Sequence, residues 1–283
     1  MKKKHLFKTA VFVLAVAAMG HPTKAQVKLP PASSSQTLIQ GLGIRNVTLT
    51  YSRPNVNGRK IFGELAPYDQ VWRTGANGVP KITLEDQVTI AGHTVEPGTY
   101  GLLTIPGKSE WTVIFSKNSE QWGAYTYKQE EDVLRFTVKP ERLKEPVETF
   151  TMDFSDVRPQ RATLNIAWED TKISMDLVVD QDAEIMAAID EAMKGETKPY
   201  MQAAQYYYNN NKDIQQALAW MNEADKGPNT PPYVKYWKAR IQLKAGDKAG
   251  AAVTAQQGIT IAKEQHNEEY VRLNGQVLAE AKQ

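Results

Sequence analysis

The sequence predicts two architectures in one chain: a mainly-β domain built as an antiparallel sandwich or barrel, then an all-α domain of helical hairpins. Three observations predict this. From about Leu38 to Val179 apolar residues alternate with period two, and turn signals interrupt them at close spacing. At Gln181 the period becomes that of a helix. Beyond that point alanine is frequent and β-branched runs vanish.

The strands follow in order. Val47, Leu49 and Tyr51 face one way, and Thr48, Thr50 and Ser52 the other. Ile82 and Leu84 open a short strand, and Val88 to Val95 reads as a hairpin around Ala91-Gly92. Pro97-Gly98 makes the next turn. Tyr100 to Ile105 is nearly all apolar, as in a strand covered on both faces. After Pro106-Gly107 come Trp111, Val113 and Phe115, then Leu134, Phe136 and Val138, then Phe150, Met152 and Phe154. Two further strands are expected at Ala162–Trp168 and Ile173–Val179. About nine or ten short strands without intervening helices indicate an antiparallel fold.

In the second part, Ile185, Met186, Ile189 and Met193 share a helical face, with Gly195 expected just past its end. Two segments then align at a spacing of 35: Ala204 with Ala239, Asn211 with Gly246, Ala217 with Ala252, and Leu218 with Val253. That spacing is close to the ~34-residue tetratricopeptide period, in which small residues sit where helices touch. Tyr207 suits the pattern in the first unit, but Gln242 replaces it in the second. The tail is therefore read as tetratricopeptide-like, with an ordinary alanine-rich bundle as the alternative.

Lys2, Lys3, Lys4 and Lys8 precede an apolar run from Ala10 to Met19, and Thr23-Lys24-Ala25 follows. This is the order of a cleavable export signal, with cleavage expected after Ala25. The run is too short to span a bilayer, which needs ~20 apolar residues. The expected divisions are residues 1–25, 26–180 and 181–283, and the expected location is the periplasm or the medium. The whole chain has 34 Lys plus Arg against 32 Asp plus Glu. Without residues 1–25 the count is 29 against 32, a formal −3, which argues against a nucleic-acid partner. There is no cysteine, and only His93 and His266 lie beyond residue 25. Zinc ligation and Ser-His-Asp or Cys-His chemistry thus lack material, and no cofactor or metal is expected.

The stretch Tyr51 to Asn77 fits neither a strand nor a filler loop. Arg53, Arg59 and Arg73 lie among glycines, prolines and aromatics with no single period. Ile61, Phe62 and Leu65 are expected to form one helical turn, with Trp72 and Tyr68 beside it. Tyr51-Ser52-Arg53-Pro54, Gly58-Arg59-Lys60-Ile61-Phe62-Gly63 and Trp72-Arg73-Thr74-Gly75-Ala76-Asn77 resemble the signature of a secreted bacterial family, mostly from Bacteroidetes. That family is the domain of unknown function 2911. Pro97 to Pro106 resembles its second block and Trp168 its late tryptophan. The resemblance implies no known activity.

Arginine forks suit carboxylates, phosphates or sugar acids. Arg53, Arg59, Trp72, Arg73 and Asn77 are therefore the candidate binding residues, with Trp122, Tyr125 and Tyr127 as a secondary aromatic cluster. The competing reading ties the arginines to carbonyls or to Glu64, Asp69 or Asp86. The functional expectation is a non-enzymatic binding protein for a small anionic or carbohydrate ligand, with a helical tail that docks a protein. The alternative is a hydrolase-type enzyme for a sugar or anionic ester, with an Asp or Glu near the arginines. No nucleic acid, and no membrane after cleavage, is expected as a partner.

Overall fold

The structure, a computed structural model, describes residues 29–283. The expected export signal and its cleavage point lie outside these residues. Ten strands precede six α-helices among them. By the contacts along the chain, they divide into two compact units. One contains residues up to Gln40, Val47–Val157 and Ala162–Leu177. The other contains Gly41–Asn46, Arg158–Arg161 and Val178–Gln283.

The β unit carries two separate sheets. The first has six strands: β1 (Ser34–Leu42), β2 (Arg45–Arg53), β3 (Lys81–Leu84), β6 (Gly98–Ile105), β7 (Trp111–Ser116) and β8 (Asp132–Val138), in that spatial order. The second has four, β5 (His93–Val95), β4 (Val88–Ile90), β10 (Arg161–Val178) and β9 (Glu141–Arg158). Neighbours pair antiparallel, for example Val47 with Leu84 and Leu102 with Phe115. The alternation sets the register, since a shift by one residue would turn Val47, Leu49 and Tyr51 to the outer face. Those three are buried, as are Leu102, Leu103, Val113, Phe115, Phe150 and Ile173. The sheets stay distinct rather than joining into one closed barrel.

Three local expectations differ from the structure. Ala162–Trp168 and Ile173–Val178 belong to one long strand, β10, and Val179 lies just past its end. Glu169 takes a left-handed φ of 53° inside it, so the polar break at Glu169-Asp170 bends the strand instead of ending it. Ile61 to Leu65 forms turns rather than a helical one. Lys60 O and Ile61 O accept the N–H groups of Leu65 and Ala66, while Gly63 N–H turns back to Ala66 O. Ile61 and Phe62 are buried but Leu65 stays exposed. The first helix, α1 (Asp182–Ala192), is capped at Met193, so Gly195 stands two residues past the cap and not directly after it, its N–H reaching back to Ala192 O.

The helical unit continues with α2 (Tyr200–Asn209), α3 (Ile214–Ala224), α4 (Pro232–Lys244), α5 (Lys248–Glu264) and α6 (Glu268–Ala281). Side-chain caps define three starts. Asp213 accepts Gln215 N–H and Gln216 N–H, Asp247 accepts Gly250 N–H, and Asn267 accepts Tyr270 N–H. Pro232 opens α4 at a position where a missing N–H costs nothing. Ala204, Ala217, Ala239, Ala251, Ala255 and Ala262 are fully buried, which lets the helices approach closely. Asn211 and Gly246, aligned by the spacing of 35, both turn the chain with left-handed φ, at 52° and 87°. Ala252 and Val253 are less buried than their counterparts Ala217 and Leu218. Among the described residues, no helix is long and apolar enough to cross a membrane.

Within the same unit, the Gly41–Asn46 turn meets the start of α1. Gln181 Oε1 accepts Ile44 N–H at 2.8 Å, and Arg45 forms a two-pronged pair with Glu184 at 2.8 and 2.6 Å. A side chain at Gly43 would collide with Gln181, its Cβ only 1.9 Å from Oε1.

Candidate functional site

The arginine loop is held to the β unit along most of its length. Pro54 to Asn57 runs beside β9: Phe150 N–H donates to Pro54 O, Val56 N–H to Glu148 O, and Asn57 N–H to Glu148 Oε1, each at 2.8 Å. Asn55 and Thr149 form a bridge, closed by Thr149 Oγ1 on Asn55 Oδ1 at 2.7 Å. Further on, Trp72 and Thr104 exchange both backbone bonds, at 2.7 and 3.0 Å. Buried Thr74 adds a hydroxyl contact to Thr104 at 3.0 Å.

An aromatic cluster fixes the centre of this loop. Trp72, only 8 % exposed, stacks on Trp168 with ring centres 6.0 Å apart and planes 10° from parallel. Phe62, Trp111 and Phe150 meet Trp72 edge-on at 5.8–6.3 Å. Trp168 also donates its indole N–H to Glu148 O at 3.2 Å. Edge-to-face and offset contacts are the favoured arrangements of aromatic quadrupoles, so the cluster gains from its geometry as well as from burial. Gly75, at φ 124°, brings the backbone against this cluster: a Cβ there would lie 3.2 Å from Ser52 O and 3.3 Å from the Phe150 ring. The close approach provided by the glycine is thus toward a neighbouring strand.

A cleft of about 410 Å³ opens beside the stacked pair. Arg59 and Arg73 line it with Asn55, Asn57, Trp72 and Tyr125, and Trp168 forms part of the wall. Arg59 is exposed and donates to Val56 O at 2.9 Å and to Asn55 O at 2.5 Å. Arg73 is half-buried and donates through Nε to Gly75 O at 3.3 Å. Among the described residues, no carboxylate pairs with the Arg53, Arg59 or Arg73 guanidinium, so the ties of the competing reading are present to backbone carbonyls but not to Glu64, Asp69 or Asp86. No Asp, Glu or His among the described residues lines the cleft.

The structure brings together only some of the expected residues. Arg59, Trp72 and Arg73 share the cleft, and Tyr125, a residue 85 % exposed, joins them. Arg53 lies along β9, donating to Phe150 O at 3.3 Å and Thr151 Oγ1 at 3.1 Å. Asn77, with a left-handed φ of 62°, donates to Ser52 Oγ at 3.2 Å and accepts Gly123 N–H. Neither lines the cleft. Trp122 is 67 % exposed and bridges Gly78 through its backbone. Tyr127 donates to Asp132 at 2.9 Å and accepts from Arg135; burial, followed by the Asp132 bond, pushes its hydroxyl above the ordinary tyrosine range. His93 is exposed at the start of β5.

Sequence reasoning gave no role at the cleft to Asn55 or Trp168. Asn55 carried no signal beyond its place in the loop. Trp168 was visible as a late tryptophan, but its stacking on Trp72 is a tertiary pairing that no local pattern encodes. Tyr51 is likewise fixed by long-range bonds. Its buried hydroxyl sits 2.9 Å from Met152 O and 2.7 Å from Gln36 Oε1, and burial raises its pKa despite the Met152 bond.

Among the described residues, no group of three or more His, Cys, Asp or Glu is placed to hold a metal ion. No curated protein and no solved structure matches the chain significantly. A family model described as "Protein of unknown function (DUF2911)" matches residues 33–177, just over half of the chain and nearly all of β1 to β10. The chain therefore belongs to the DUF2911 family.

Proposed function

We propose that the β unit is a binding module for a small anionic ligand, such as a sugar acid or a phosphate, held at the cleft between Arg59 and Arg73. One observation carries this reading: two guanidiniums line one cleft, and their hydrogen-bond partners there are neutral carbonyls. Such groups retain donors for a ligand, and charge-assisted bonds of this kind contribute about 1.5–3 kcal/mol each. Tyr125 adds an exposed ring at the mouth on which a sugar could stack. The hydrolase alternative requires an acid or base near the arginines, and no Asp or Glu among the described residues lines the cleft.

The rest of the reading concerns setting and partner. The basic, apolar and small-residue order of residues 1–25 supports export to the periplasm or medium, after which N-terminal sequencing should find Gln26 first. The helical unit reads as a tetratricopeptide-like tail that docks a protein. Its support is the paired burial of Ala204 and Ala239 and the matched left-handed turns at Asn211 and Gly246.

Thermal melts of the wild type, Arg59→Gln and Arg73→Gln, with and without a panel of sugar acids and phosphates, test the binding role. A ligand should raise the wild-type melt. The unliganded variants should melt close to the wild type, with the ligand shift lost. Large stability losses in both variants, with no anion shifting the wild type, would defeat the reading.

A further inference from the structure

A second set of cations gathers within the helical unit. A cleft of about 540 Å³ is lined there by Tyr208 of α2, Arg240 and Lys244 of α4, Lys248 of α5 and Glu280 of α6. The Arg240 guanidinium is caged by three rings, with its carbon 4.8 Å from the Trp237 centre, 4.9 Å from Tyr208 and 5.3 Å from Tyr236. Its NH1 group donates to the Tyr236 hydroxyl at 3.1 Å. Lys244 is fixed by neutral acceptors, Tyr208 O at 2.6 Å and Asn211 Oδ1 at 2.7 Å, and lies 4.6 Å from the Tyr208 ring centre.

These cations differ from other lysines of the same unit. Lys194, Lys212, Lys226, Lys235 and Lys238 each meet a carboxylate at 2.5–2.8 Å. Arg240 and Lys244 are held instead by aromatic faces and neutral oxygens. Lys248 is stranger still. It is the first residue of α5, directly after the Asp247 cap, where the helix dipole disfavours a positive charge. Helix stability therefore does not account for a lysine there.

We infer that this cleft receives a carboxylate from an acidic peptide segment of a partner protein; the inference rests on the reading of the helical unit as a docking tail. Arginine held in one plane by rings presents its fork in a fixed direction, which suits a planar carboxylate. Lys244 and Lys248 supply flanking point charges. Residues 181–283 carry 12 Lys or Arg against 13 Asp or Glu, so the positive potential is local, unlike the extended basic stripe that nucleic acid requires. Glu280 in the same cleft repels a dianion more than a monoanion, which favours carboxylate over phosphate. The volume exceeds what a lone carboxylate fills and leaves room for adjoining peptide against Tyr208 and Leu243.

Fluorescence anisotropy of the full chain with a labelled hexapeptide of alternating alanine and glutamate, its C-terminus free, tests this. The wild type should bind it, and an amidated peptide with glutamine in place of glutamate should bind at least about tenfold more weakly. Arg240→Lys keeps the charge but loses the fork, and should weaken the acidic peptide by about tenfold. Because Arg240 also packs against rings, Lys248→Gln provides the second variant. It should weaken binding while leaving the melt unchanged or slightly raised. Free glutamate should compete with the peptide better than inorganic phosphate at equal concentration.

Equal binding of both peptides, indifferent to Lys248→Gln, would overturn the carboxylate assignment and leave docking by the tail intact. Stronger competition by phosphate would overturn it in favour of a phosphate site. Binding of neither peptide would overturn the inference itself, and the melts of Arg59 and Arg73 variants would still judge the β unit separately.

Discussion

The two units fill their interiors with different mixtures of side chains, one rich in large rings and the other in alanine. In the β unit large rings point inward: Trp72, Trp168, Phe150, Phe62 and Trp111 meet around an irregular loop, with Arg59 and Arg73 at the cleft beside it. In the helical unit many alanines are buried beside Met221, Ile241 and Tyr207, and rings such as Tyr208, Tyr236 and Trp237 are only half-buried, gathered around Arg240. The difference follows from backbone geometry. A loop without regular hydrogen bonding needs bulky groups to fix it, whereas helices already satisfied along their backbones gain most from close approach. Each solution ends with arginine next to aromatic surface, reached from different directions.

The comparison is broken most severely by removing a ring. Trp72→Ala should cost about 3–5 kcal/mol, the usual loss for a large aromatic in a core, measured by urea unfolding followed through near-ultraviolet circular dichroism. A ring that served only as a ligand platform would leave the unfolding midpoint almost unmoved.

The converse test adds one methyl group where the helices touch. Alanine normally improves on glycine inside a helix by about 1 kcal/mol. At Gly258 the new Cβ would lie 2.3 Å from Asn274 Oδ1 and 2.5 Å from Cγ. Asn274 is fully buried and donates to Tyr270 O at 2.9 Å and Pro232 O at 3.3 Å, so it has little room to move. Overpacking at about 1–3 kcal/mol should match or outweigh the propensity gain, and Gly258→Ala should lose up to about 2 kcal/mol in the same measurement. A stabilised variant would mean that the α5 and α6 contact is loose, contrary to the close-packed picture.

The smallest effect concerns ends rather than interiors. Asp213→Ala leaves the N–H groups of Gln215 and Gln216 without their cap and should cost about 1 kcal/mol. Asp213→Asn should recover most of it. A loss with both variants alike would shift the role of Asp213 from hydrogen bonding to charge.

The regular elements were legible because their periods are local. Val47, Leu49 and Tyr51 declared a strand, and the hairpin at Ala91-Gly92 is present as β4 and β5. The Asn211 and Gly246 turns stood out by their spacing. The arginine loop was recognisable as unusual, but its conformation depends on partners far along the chain. Arg53, for instance, bonds Phe150 O from 97 positions away. No periodicity could separate Arg53, directed along β9, from Arg59 and Arg73 at the cleft. The grouping of the Gly41–Asn46 and Arg158–Arg161 turns with the helices was also hidden, since Gln181 and Gly43 carry no shared signal in sequence.

The stacked indoles of Trp72 and Trp168 make the cleft optically self-reporting. Two nearly parallel chromophores 6.0 Å apart share their excitation, so their combined near-ultraviolet signal depends on relative orientation and on the medium beside them. Both line the cleft. A ligand that displaces solvent there perturbs absorption and emission without any attached dye, read against Trp111 and Trp122 in the same unit and Trp220 and Trp237 in the other.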